Sequence, residues 1–301
     1  MGTTATGKTD AAAALVDCLD AEIISVDSSL VYRGMDIGSA KPDSQFLAKY
    51  PHHLIDIRDP NDTYSVAEFY QDCSTLVESI CRRGRTPVLA GGTHFYFNAL
   101  EQGMAQLPKA NAEMRDRITE QAQQTGWADQ HAKLAVLDPE SAERIDSMDA
   151  QRIQRALEIV ISGGQPVSAY NNTRRPAFKN PLLKIALCFS DRKVLHKRIE
   201  QRFDLMLDHG LKKEVENLLE NGVKPQAPAM RMIGYRQMLE HLNGDLSWDQ
   251  MRDKGIAATR QLAKRQLTWL RNQANLIWWV DYGLLEKDFN GLSTFVREST
   301  K

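Results

Sequence analysis

Short runs of apolar and β-branched residues alternate along this chain with longer segments in which apolar residues recur every three or four positions. Five of the short runs, bounded by polar or turn-forming residues, predict strands at residues 22–26, 53–57, 86–90, 182–189 and 276–280. Helical periodicity fills most of the segments between them. Strands that alternate with helices are typical of a parallel sheet covered by helices. The pattern therefore predicts an α/β fold.

One of the predicted helices has clear start and stop signals. Ser65 and Glu68 have the spacing of a capping box, apolar residues recur from Val66 to Ile80, and Gly84 follows the last of them. A capping box satisfies two backbone N–H groups at a helix start, and glycine is favoured just past a helix end. We expect this helix to cross between two strands of the sheet.

Residues 101–175 contain no strand signal, and their helical segments are rich in Gln, Glu, Arg and Ala. This change of pattern predicts an all-helical subdomain inserted into the α/β core. The predicted organisation is a core of residues 1–100 and 176–301, which includes the C-terminal helices, interrupted by a helical insertion at residues 101–175.

A phosphate-binding motif stands at the start of the chain, where residues 2–9 read GTTATGKT and match GxxxxGK[ST]. In such a loop backbone N–H groups surround a phosphate, the lysine reaches the outer phosphates and the last hydroxyl ligates Mg²⁺. A helix is predicted to follow over residues 10–19. A buried strand normally leads into the loop, but Met1 directly precedes Gly2, so we expect the first strand of the core to be missing from this sequence.

Composition limits the function without identifying it. The 301 residues carry a formal net charge of −1, so any nucleic-acid surface has to be local and balanced elsewhere. The four cysteines form no C-x-x-C pair, which disfavours a structural zinc site or a disulfide framework. The sequence shows neither a secretory leader nor an apolar run of membrane-spanning length. We expect a cytoplasmic protein with no membrane partner and no obligate protein partner, most simply a monomer.

Two predicted strands end in residues that suit catalysis. Asp27 follows the strand at 22–26, and Thr93 follows two glycines after the strand at 86–90. The carboxyl ends of parallel strands face the ligand crevice of an open α/β sheet. Asp27 is therefore expected beside the phosphate loop, although a carboxylate there could instead cap the next turn. Thr93 taken alone is compatible with an ordinary turn.

Basic residues also recur at helical spacing beside apolar stripes. Arg198 and Arg202 form one such pair, Arg152 and Arg155 form a second, and a third set runs along residues 260–271. Each set taken singly is typical of a solvated helix face. Arginine and interleaved hydroxyl groups also suit RNA phosphates and sugars.

Considered together, the ordered sequence blocks resemble the tRNA dimethylallyltransferases, the family of bacterial tRNA adenosine-37 isopentenyltransferases. The resemblance covers nearly the whole chain. Beside the phosphate loop, its longest blocks are IISVDSSLVYRGMDIGSAKP at 23–42, HHLIDIRDP at 52–60, AGGTHFYFNAL at 90–100, QRIQRALEI at 151–159, RIEQRFDLML at 198–207, RMIGYRQM at 231–238 and ATRQLAKRQLTWLR at 258–271. The chain departs from the family at Thr3 and Thr6, where proline and serine are usual, and in the missing first strand.

The resemblance implies transfer of a dimethylallyl group from dimethylallyl diphosphate to N6 of adenosine 37 in the anticodon loop of tRNA. The motif is often described as an ATP-binding or nucleotide-binding site, but the family uses it to hold the diphosphate. By this resemblance Asp27 is the general base and Thr93 hydrogen-bonds the leaving group. Lys8, Arg202 and a Mg²⁺ ion ligated by Thr9 stabilise the departing diphosphate. The target base has to leave the stack to reach such a pocket.

The resemblance also assigns the binding residues. Diphosphate contacts fall on Gly2, Thr3, Thr4, Ala5, Thr6, Gly7, Lys8 and Thr9. Contacts to tRNA fall on Asp27, Ser28, Ser29, Leu30, Thr93, Arg115, Gln151, Arg152, Ile153, Gln154, Arg155, Arg231, Met232, Ile233, Gly234, Tyr235, Arg236, Lys264, Arg265, Gln266, Leu267, Thr268, Trp269, Leu270 and Arg271. The inserted helices are expected to grip the anticodon stem.

Two other functions remain open on the residues alone. A P-loop kinase for a small molecule or nucleoside would use the same loop for ATP and Asp27 to activate a hydroxyl acceptor. A non-catalytic RNA-binding protein would result if loss of the first strand abolished the phosphate pocket. The arginine-rich helices beyond Arg198 argue against the kinase.

Overall fold

The computed structural model of this chain describes residues 1–175, 178, 181–281 and 288–299. Its contacts divide the chain into two compact units. Unit 1 comprises Met1–Asn98 and Asn180–Lys301, and unit 2 comprises Ala99–Lys179. Residues 176 and 177, where the predicted core resumes after the insertion, lie outside the described residues. No helix in the described part of the chain has the length and apolar character needed to cross a membrane.

Strands and helices alternate along the chain. The strands are β1 (Ala21–Val26), β2 (His52–His53), β3 (Thr86–Gly91), β4 (Met104–Ala105), β5 (Arg174–Arg175), β6 (Lys184–Cys188) and β7 (Leu276–Val280). The α-helices are α1 (Lys8–Cys18), α2 (Ser44–Lys49), α3 (Val66–Arg82), α4 (His94–Gln102), α5 (Ala112–Thr125), α6 (Trp127–Leu137), α7 (Pro139–Arg144), α8 (Ala150–Gly163), α9 (Arg192–Asp208), α10 (Leu211–Glu220), α11 (Tyr235–Leu242), α12 (Trp248–Arg271) and α13 (Asp288–Ser299). Short 3₁₀ helices occur at Val167–Thr173 and Ala229–Arg231.

The sheets of unit 1 are parallel. β1 lies between β2 and β3, with Ile23 opposite His52 on one side and Val88 on the other. β6 and β7 form a second parallel pair, and Gly2 makes an isolated parallel bridge to Leu187 of β6. The α/β class predicted from the alternating pattern is confirmed.

The strand predicted at residues 53–57 is much shorter in the structure. Only His52 and His53 pair with β1, because Leu54 and Asp56 adopt left-handed backbone conformations with φ of 65° and 55°. A residue with positive φ cannot continue an extended strand. An apolar run with the right residue types therefore forms a turn after its second residue.

Small and β-branched side chains build the core beneath the phosphate loop. Ala12 and Ala13 of α1 pack with Ile23 of β1 and with Tyr50, and all four are buried. The alanine side chains let α1 approach the sheet closely, which places the loop that precedes α1 at the carboxyl edge of β1. Gly91 fits the same tight packing, since a Cβ there would lie 2.0 Å from the Val26 carbonyl oxygen.

The capping box predicted before α3 is present. Ser65 Oγ accepts from the Glu68 backbone N–H, and Glu68 accepts from the Ser65 backbone N–H. The helix ends at Arg82, and Gly84 follows with a φ of 75°. This helix crosses from β2 to β3, as the pattern predicts.

In the described residues of unit 2, helices are accompanied by one short antiparallel pair of strands. Its core contains Ile118 of α5, Leu134 of α6 and Ile153 with Leu157 of α8. The pair β4–β5 joins Met104–Ala105 to Arg174–Arg175, and the Phe178 N–H donates to the Leu100 carbonyl. The chain therefore enters and leaves unit 2 at neighbouring points.

Candidate active site

The phosphate loop wraps around its own lysine. Lys8 Nζ donates to the Thr3 carbonyl oxygen at 2.6 Å, and the buried Thr6 hydroxyl donates to the same oxygen at 2.8 Å. Ala5 and Gly7 adopt φ of 63° and 79°, and Gly7 directly precedes α1. The loop thus ends at a helix N-terminus, where unpaired N–H groups and the helix dipole favour an anion.

Two cations face the cavity beside this loop. Burial, and after it the charge of Arg202, lowers the pKa of Lys8 to about 8, whereas Asp27 acts in the opposite direction. Burial also lowers the pKa of Arg202, again against the attraction of Asp27. Within the described residues neither cation forms an ion pair. Lys8 and Arg202 are therefore available to an anion that enters the cavity.

Asp27 leaves the carboxyl end of β1 and enters the cavity. Its Oδ1 accepts from the Ser29 backbone N–H at 2.8 Å and from the Ser29 hydroxyl. Thr93, after β3, accepts from the Ser28 backbone N–H at 3.1 Å. These contacts join the ends of β1 and β3, so the proposed base and the proposed leaving-group ligand are held by one local network.

The cavity has a volume of about 880 Å³ and lies within unit 1. Thr4, Ala5, Gly7, Lys8 and Thr9 of the loop line it, whereas the side chains of Thr3 and Thr6 are buried. The remaining predicted residues that line it are Asp27, Ser28, Ser29, Leu30, Thr93, Arg202, Met232, Ile233, Tyr235 and Gln266. Its volume is in the range of sites that enclose small organic ligands.

The donors around Thr9 fit a magnesium ion that is shared with a ligand. Thr9 and Asp27 both line the cavity, and the Ser25 hydroxyl, also at its wall, is buried without a hydrogen-bond partner. No group of three or more His, Cys, Asp or Glu side chains suited to a metal occurs in the described ranges. Mg²⁺ commonly uses one or two protein ligands together with substrate phosphates and water. Such a site needs no cluster of carboxylates.

Helix α9 supports the loop with a second arginine. Arg198 Nε donates to the Ala5 carbonyl at 3.0 Å, and its guanidinium lies over the Phe189 ring. Arg202, one turn further along α9, lines the cavity together with Arg198, and within the described residues no hydrogen bond joins it to the loop. The spacing of four residues noted in the sequence therefore gives one arginine that holds the loop and one that is available to a ligand.

The predicted contact segment 231–236 has two faces. Arg231 and Arg236 are exposed, whereas Tyr235 is fully buried and donates to Glu214 Oε1 at 2.7 Å. Glu214 also accepts from backbone N–H groups of the cavity wall, including that of Gly38 at 3.0 Å. The tyrosine therefore fixes the wall, and only its neighbours present side chains to solvent.

The predicted segment 264–271 divides in the same way because it lies on one helix. Lys264, Arg265, Thr268 and Arg271 are exposed on α12, and Leu267 and Trp269 are partly buried. Gln266 and Leu270 are buried. The side chains of Gln266 and Leu270 point into unit 1. The exposed side chains of the segment are three basic residues and Thr268.

The remaining predicted contacts, Arg115 and residues 151–155, lie in unit 2. Arg115 of α5 and Arg155 of α8 donate to the same carboxylate oxygen of Glu158, at 3.1 and 2.7 Å. Glu158 is completely buried, and the Asn111 backbone N–H is a third donor to it. Burial alone would raise the pKa of Glu158, but hydrogen bonds from Arg155, the Asn111 amide and Arg115 outweigh it and the pKa is lowered.

The other members of this segment take different places. Gln151 and Arg152 are exposed, and Ile153 is buried in the unit 2 core. Gln154 donates to the Arg115 carbonyl at 3.1 Å and to the Thr119 hydroxyl at 2.7 Å. The faces of α8 therefore determine which of Gln151, Arg152 and Ile153 are exposed or buried. The contact of α8 with α5 determines the partners of Gln154.

Glu158, Arg198 and Gln266 have structural roles that the sequence interpretation did not assign. Glu158 and Gln266 are polar residues on apolar helix faces, next to Leu157 in one case and between Ala263 and Leu270 in the other. A polar residue on an otherwise buried stripe requires partners. A polar residue on an apolar helix face is therefore a sequence signal for a structural role of Glu158 and Gln266. The sequence does not identify their partners, because these depend on the tertiary structure.

Comparison with known proteins adds an independent observation. The family described as IPP transferase matches residues 30–273. The chain is 53% identical over 273 residues to the tRNA dimethylallyltransferase of Thiobacillus denitrificans, covering 90% of this chain and 87% of that protein. It is 50% identical over 306 residues to that of Stenotrophomonas maltophilia, covering 98% and 96%.

Solved structures are similar over the same extent. A full-length tRNA isopentenylpyrophosphate transferase from Bacillus halodurans matches with a TM-score of 0.70 and 35% identity, covering 99% of this chain and 94% of that one. A eukaryotic dimethylallyltransferase crystallised while acting on tRNA matches with a TM-score of 0.81 and 26% identity, covering 99% and 77%.

Proposed function

Because the chain belongs to the IPP transferase family of tRNA dimethylallyltransferases, we propose that it transfers the dimethylallyl group of dimethylallyl diphosphate to N6 of adenosine 37 in tRNA. The observation that carries the proposal is the composition of the unit 1 cavity. Asp27 shares it with Lys8 and Arg202, which Asp27 attracts but with which it forms no salt bridge among the described residues. Asp10, Asp43 and Arg198 complete the charged lining of the cavity. A base beside an anion site suits a reaction that removes a proton and releases diphosphate.

In this reaction the N6 lone pair attacks the allylic carbon, and the bond from that carbon to the diphosphate oxygen breaks. The bonding electrons leave with the diphosphate, and N6 becomes positively charged until it loses a proton. Asp27 is the proposed acceptor of that proton: its carboxylate lines the cavity, and hydrogen bonds from the Ser29 hydroxyl and backbone N–H to Oδ1 orient it. General bases of this kind contribute about 10²–10⁴ to a rate.

The leaving group is stabilised by donors fixed before the substrate arrives. Loop N–H groups at the start of α1, Lys8 and Arg202 all face the cavity, and Thr93 adds a hydroxyl from the end of β3. Such preorganised donors stabilise charge as it develops in a transition state. A Mg²⁺ ion, which we propose is held through Thr9 together with the diphosphate, would neutralise part of the same charge when bound.

We propose that exposed basic residues, together with exposed Gln151, bind the tRNA. On unit 1 these are Arg231, Arg236 and the exposed face of α12, and on unit 2 the exposed residues Gln151 and Arg152 with the half-exposed Arg115 and Arg155. Phosphate contacts by such residues supply affinity that falls with salt concentration. The helical insertion, residues 101–175, is proposed to grip the anticodon stem, and the enzyme to act as a cytoplasmic monomer.

The direct experiment is an incubation of the purified chain with unmodified tRNA, labelled dimethylallyl diphosphate and Mg²⁺. We expect label on adenosine 37 and release of one diphosphate for each group transferred. ATP-dependent phosphorylation of a small acceptor would support a kinase instead. Binding of tRNA without either product would identify a non-catalytic RNA-binding protein.

A further inference from the structure

Helix α12 sends one polar side chain into the core of unit 1. Gln266 is only 7% exposed, although it lies among the exposed basic residues of the helix. Its amide makes two hydrogen bonds to different parts of the site. Oε1 accepts from the Thr4 backbone N–H at 2.9 Å, and Nε2 donates to the Gly92 carbonyl at 2.8 Å.

The two partners belong to the two halves of the proposed leaving-group site. Thr4 is part of the phosphate loop, and Gly92 directly precedes Thr93 at the end of β3. One side chain therefore sets the position of both with respect to α12. The contact at Gly92 is close, because a Cβ there would lie only 2.6 Å from Gln266 Nε2.

The chemistry of the contact requires an amide. A carboxylate could accept from Thr4 but could not donate to the Gly92 carbonyl, and an aliphatic side chain could do neither. Loss of the side chain would also remove these partners from a partly buried N–H and a partly buried carbonyl. Gln266 thus supplies the donor and the acceptor that this place in the fold needs.

We infer that Gln266 is a positioning residue that holds the phosphate loop and the Thr93 turn in register for binding the diphosphate of the prenyl donor. The inference depends on the proposed function for the identity of that donor. It assigns Gln266 to the donor side of the reaction and leaves RNA contact to the exposed residues of the same helix. The Thr4 N–H, being engaged by Gln266, belongs to the framework of the loop.

The test measures diphosphate binding separately from turnover. Gln266→Met keeps the approximate volume and removes both hydrogen bonds, and Gln266→Glu removes only the donor. Gln226→Met, at an exposed glutamine of unit 1 outside the surfaces proposed to bind either substrate, is the matched control. Calorimetric titration with inorganic diphosphate and Mg²⁺ measures the site even if the transferred group is not dimethylallyl. Filter binding measures tRNA affinity, and steady-state kinetics give KM for each substrate.

We expect Gln266→Met to weaken diphosphate binding and to raise KM for dimethylallyl diphosphate by about tenfold, the scale of one or two lost hydrogen bonds. The dissociation constant for tRNA should stay within about twofold. Gly92→Ala approaches the same contact from the other side and should reproduce the effect. If either variant unfolds, the remaining variants decide, with folding checked by circular dichroism.

Unchanged diphosphate binding in folded Gln266→Met would overturn the inference. So would a selective loss of tRNA affinity, since that result would make Gln266 an RNA contact. Failure of the proposed function has a different signature: the unmodified chain would transfer no prenyl group, while the diphosphate titrations of the variants would still report on Gln266.

Discussion

In unit 1, Lys8 and Arg202 face a cavity and form no ion pair among the described residues, whereas in unit 2, Arg115 and Arg155 both donate to the buried Glu158. The first pair has lowered pKa values, chiefly because burial disfavours the charges, and to a smaller extent because Arg202 repels Lys8 and Arg198 repels Arg202. In the second pair the carboxylate pKa is lowered, because it is hydrogen-bonded by both cations. The two units use arginine and lysine for different purposes.

The difference indicates that the cations of unit 1 serve ligand binding and that the arginines of unit 2 serve folding. Buried charges of one sign are unfavourable until an opposite charge arrives, so the unit 1 cations are best explained by an anionic ligand. A buried carboxylate with three donors is satisfied without a ligand, so the unit 2 arginines first stabilise the contact between α5 and α8. Their half-exposed guanidinium groups remain open to RNA. Four substitutions test this division, beginning with the largest expected effect.

Replacement of Asp27 by alanine should affect chemistry alone. We expect turnover to fall by about 10²–10⁴, the usual contribution of a general base, while tRNA affinity changes little. Single-turnover transfer from labelled dimethylallyl diphosphate measures the first quantity, and filter binding measures the second. Asp20→Ala, just before the other end of β1, is the control. Undiminished turnover in Asp27→Ala would remove the carboxylate from the reaction.

Replacement of Arg202 by glutamine should damage the ligand site without damaging the fold. We expect kcat/KM for dimethylallyl diphosphate to fall by about 10²–10³, the cost of one oxyanion donor. Urea denaturation should show no loss of stability, because the change removes a charge that Lys8 repels. Lys197→Gln, exposed on the same helix, provides the comparison. A large loss of stability would mean that Arg202 is structural, like its counterparts in unit 2.

The lowered pKa of Lys8 predicts a pH dependence of ligand binding. Above about pH 8 the ammonium loses its proton, so affinity for inorganic diphosphate should fall with rising pH, by at most about tenfold per unit. The ligand-free protein should show the opposite trend in stability. Its Lys8 pKa lies below the ordinary 10.5, so the unfolded chain binds more protons between about pH 8 and 10.5 and stability rises across that interval.

Lys8→Arg separates this effect from titration of the diphosphate, because arginine stays protonated throughout the interval. Calorimetry at pH 7, 8 and 9 on both proteins gives the comparison. Equal pH dependence in the two proteins would assign the effect to the ligand.

Replacement of Arg155 by alanine should lower the stability of unit 2. The change removes one partner of the buried Glu158, and the free energy of unfolding in urea should fall by about 1–3 kcal/mol. Arg152→Ala should change it by less than about 0.5 kcal/mol, because that side chain is 72% exposed and pairs only with Asp149 of its own helix turn. Equal stability of the two variants would contradict the structural role given to the unit 2 arginines.

The fold could be predicted wherever local pattern decides it. The alternating runs predicted β1, β3 and β7 closely, and the Ser65–Glu68 capping box predicted the start of α3. The run at residues 53–57 has the composition of a strand, but Leu54 and Asp56 turn left-handed after two paired residues. Backbone conformation of this kind depends on the surrounding loops, which residue type alone does not encode.

The candidate site was predictable to the extent that motifs carry its chemistry. The phosphate loop, Asp27 and Thr93 come together because strand ends meet at one edge of a parallel sheet. The sequence alone did not show which residues of the contact segment 264–271 are exposed and which are buried. The faces of α12 show this, and Gln266 is on the buried face. Glu158 lies within the block at 151–159 but received no role from it, because the packing of α5 on α8 identifies its partners.

The pairing of β4 with β5 has a consequence for how the chain tolerates change. Leu100 and Phe178 are hydrogen-bonded, and β4 pairs with β5, so the two ends of unit 2 lie side by side and the chain between them forms a closed loop. The entropic cost of closing a loop grows slowly with its length. Each doubling of loop length adds only about 0.6 kcal/mol to that cost. A change in the length of a helix in unit 2 should therefore leave unchanged the register of the strands that carry Asp27 and Thr93.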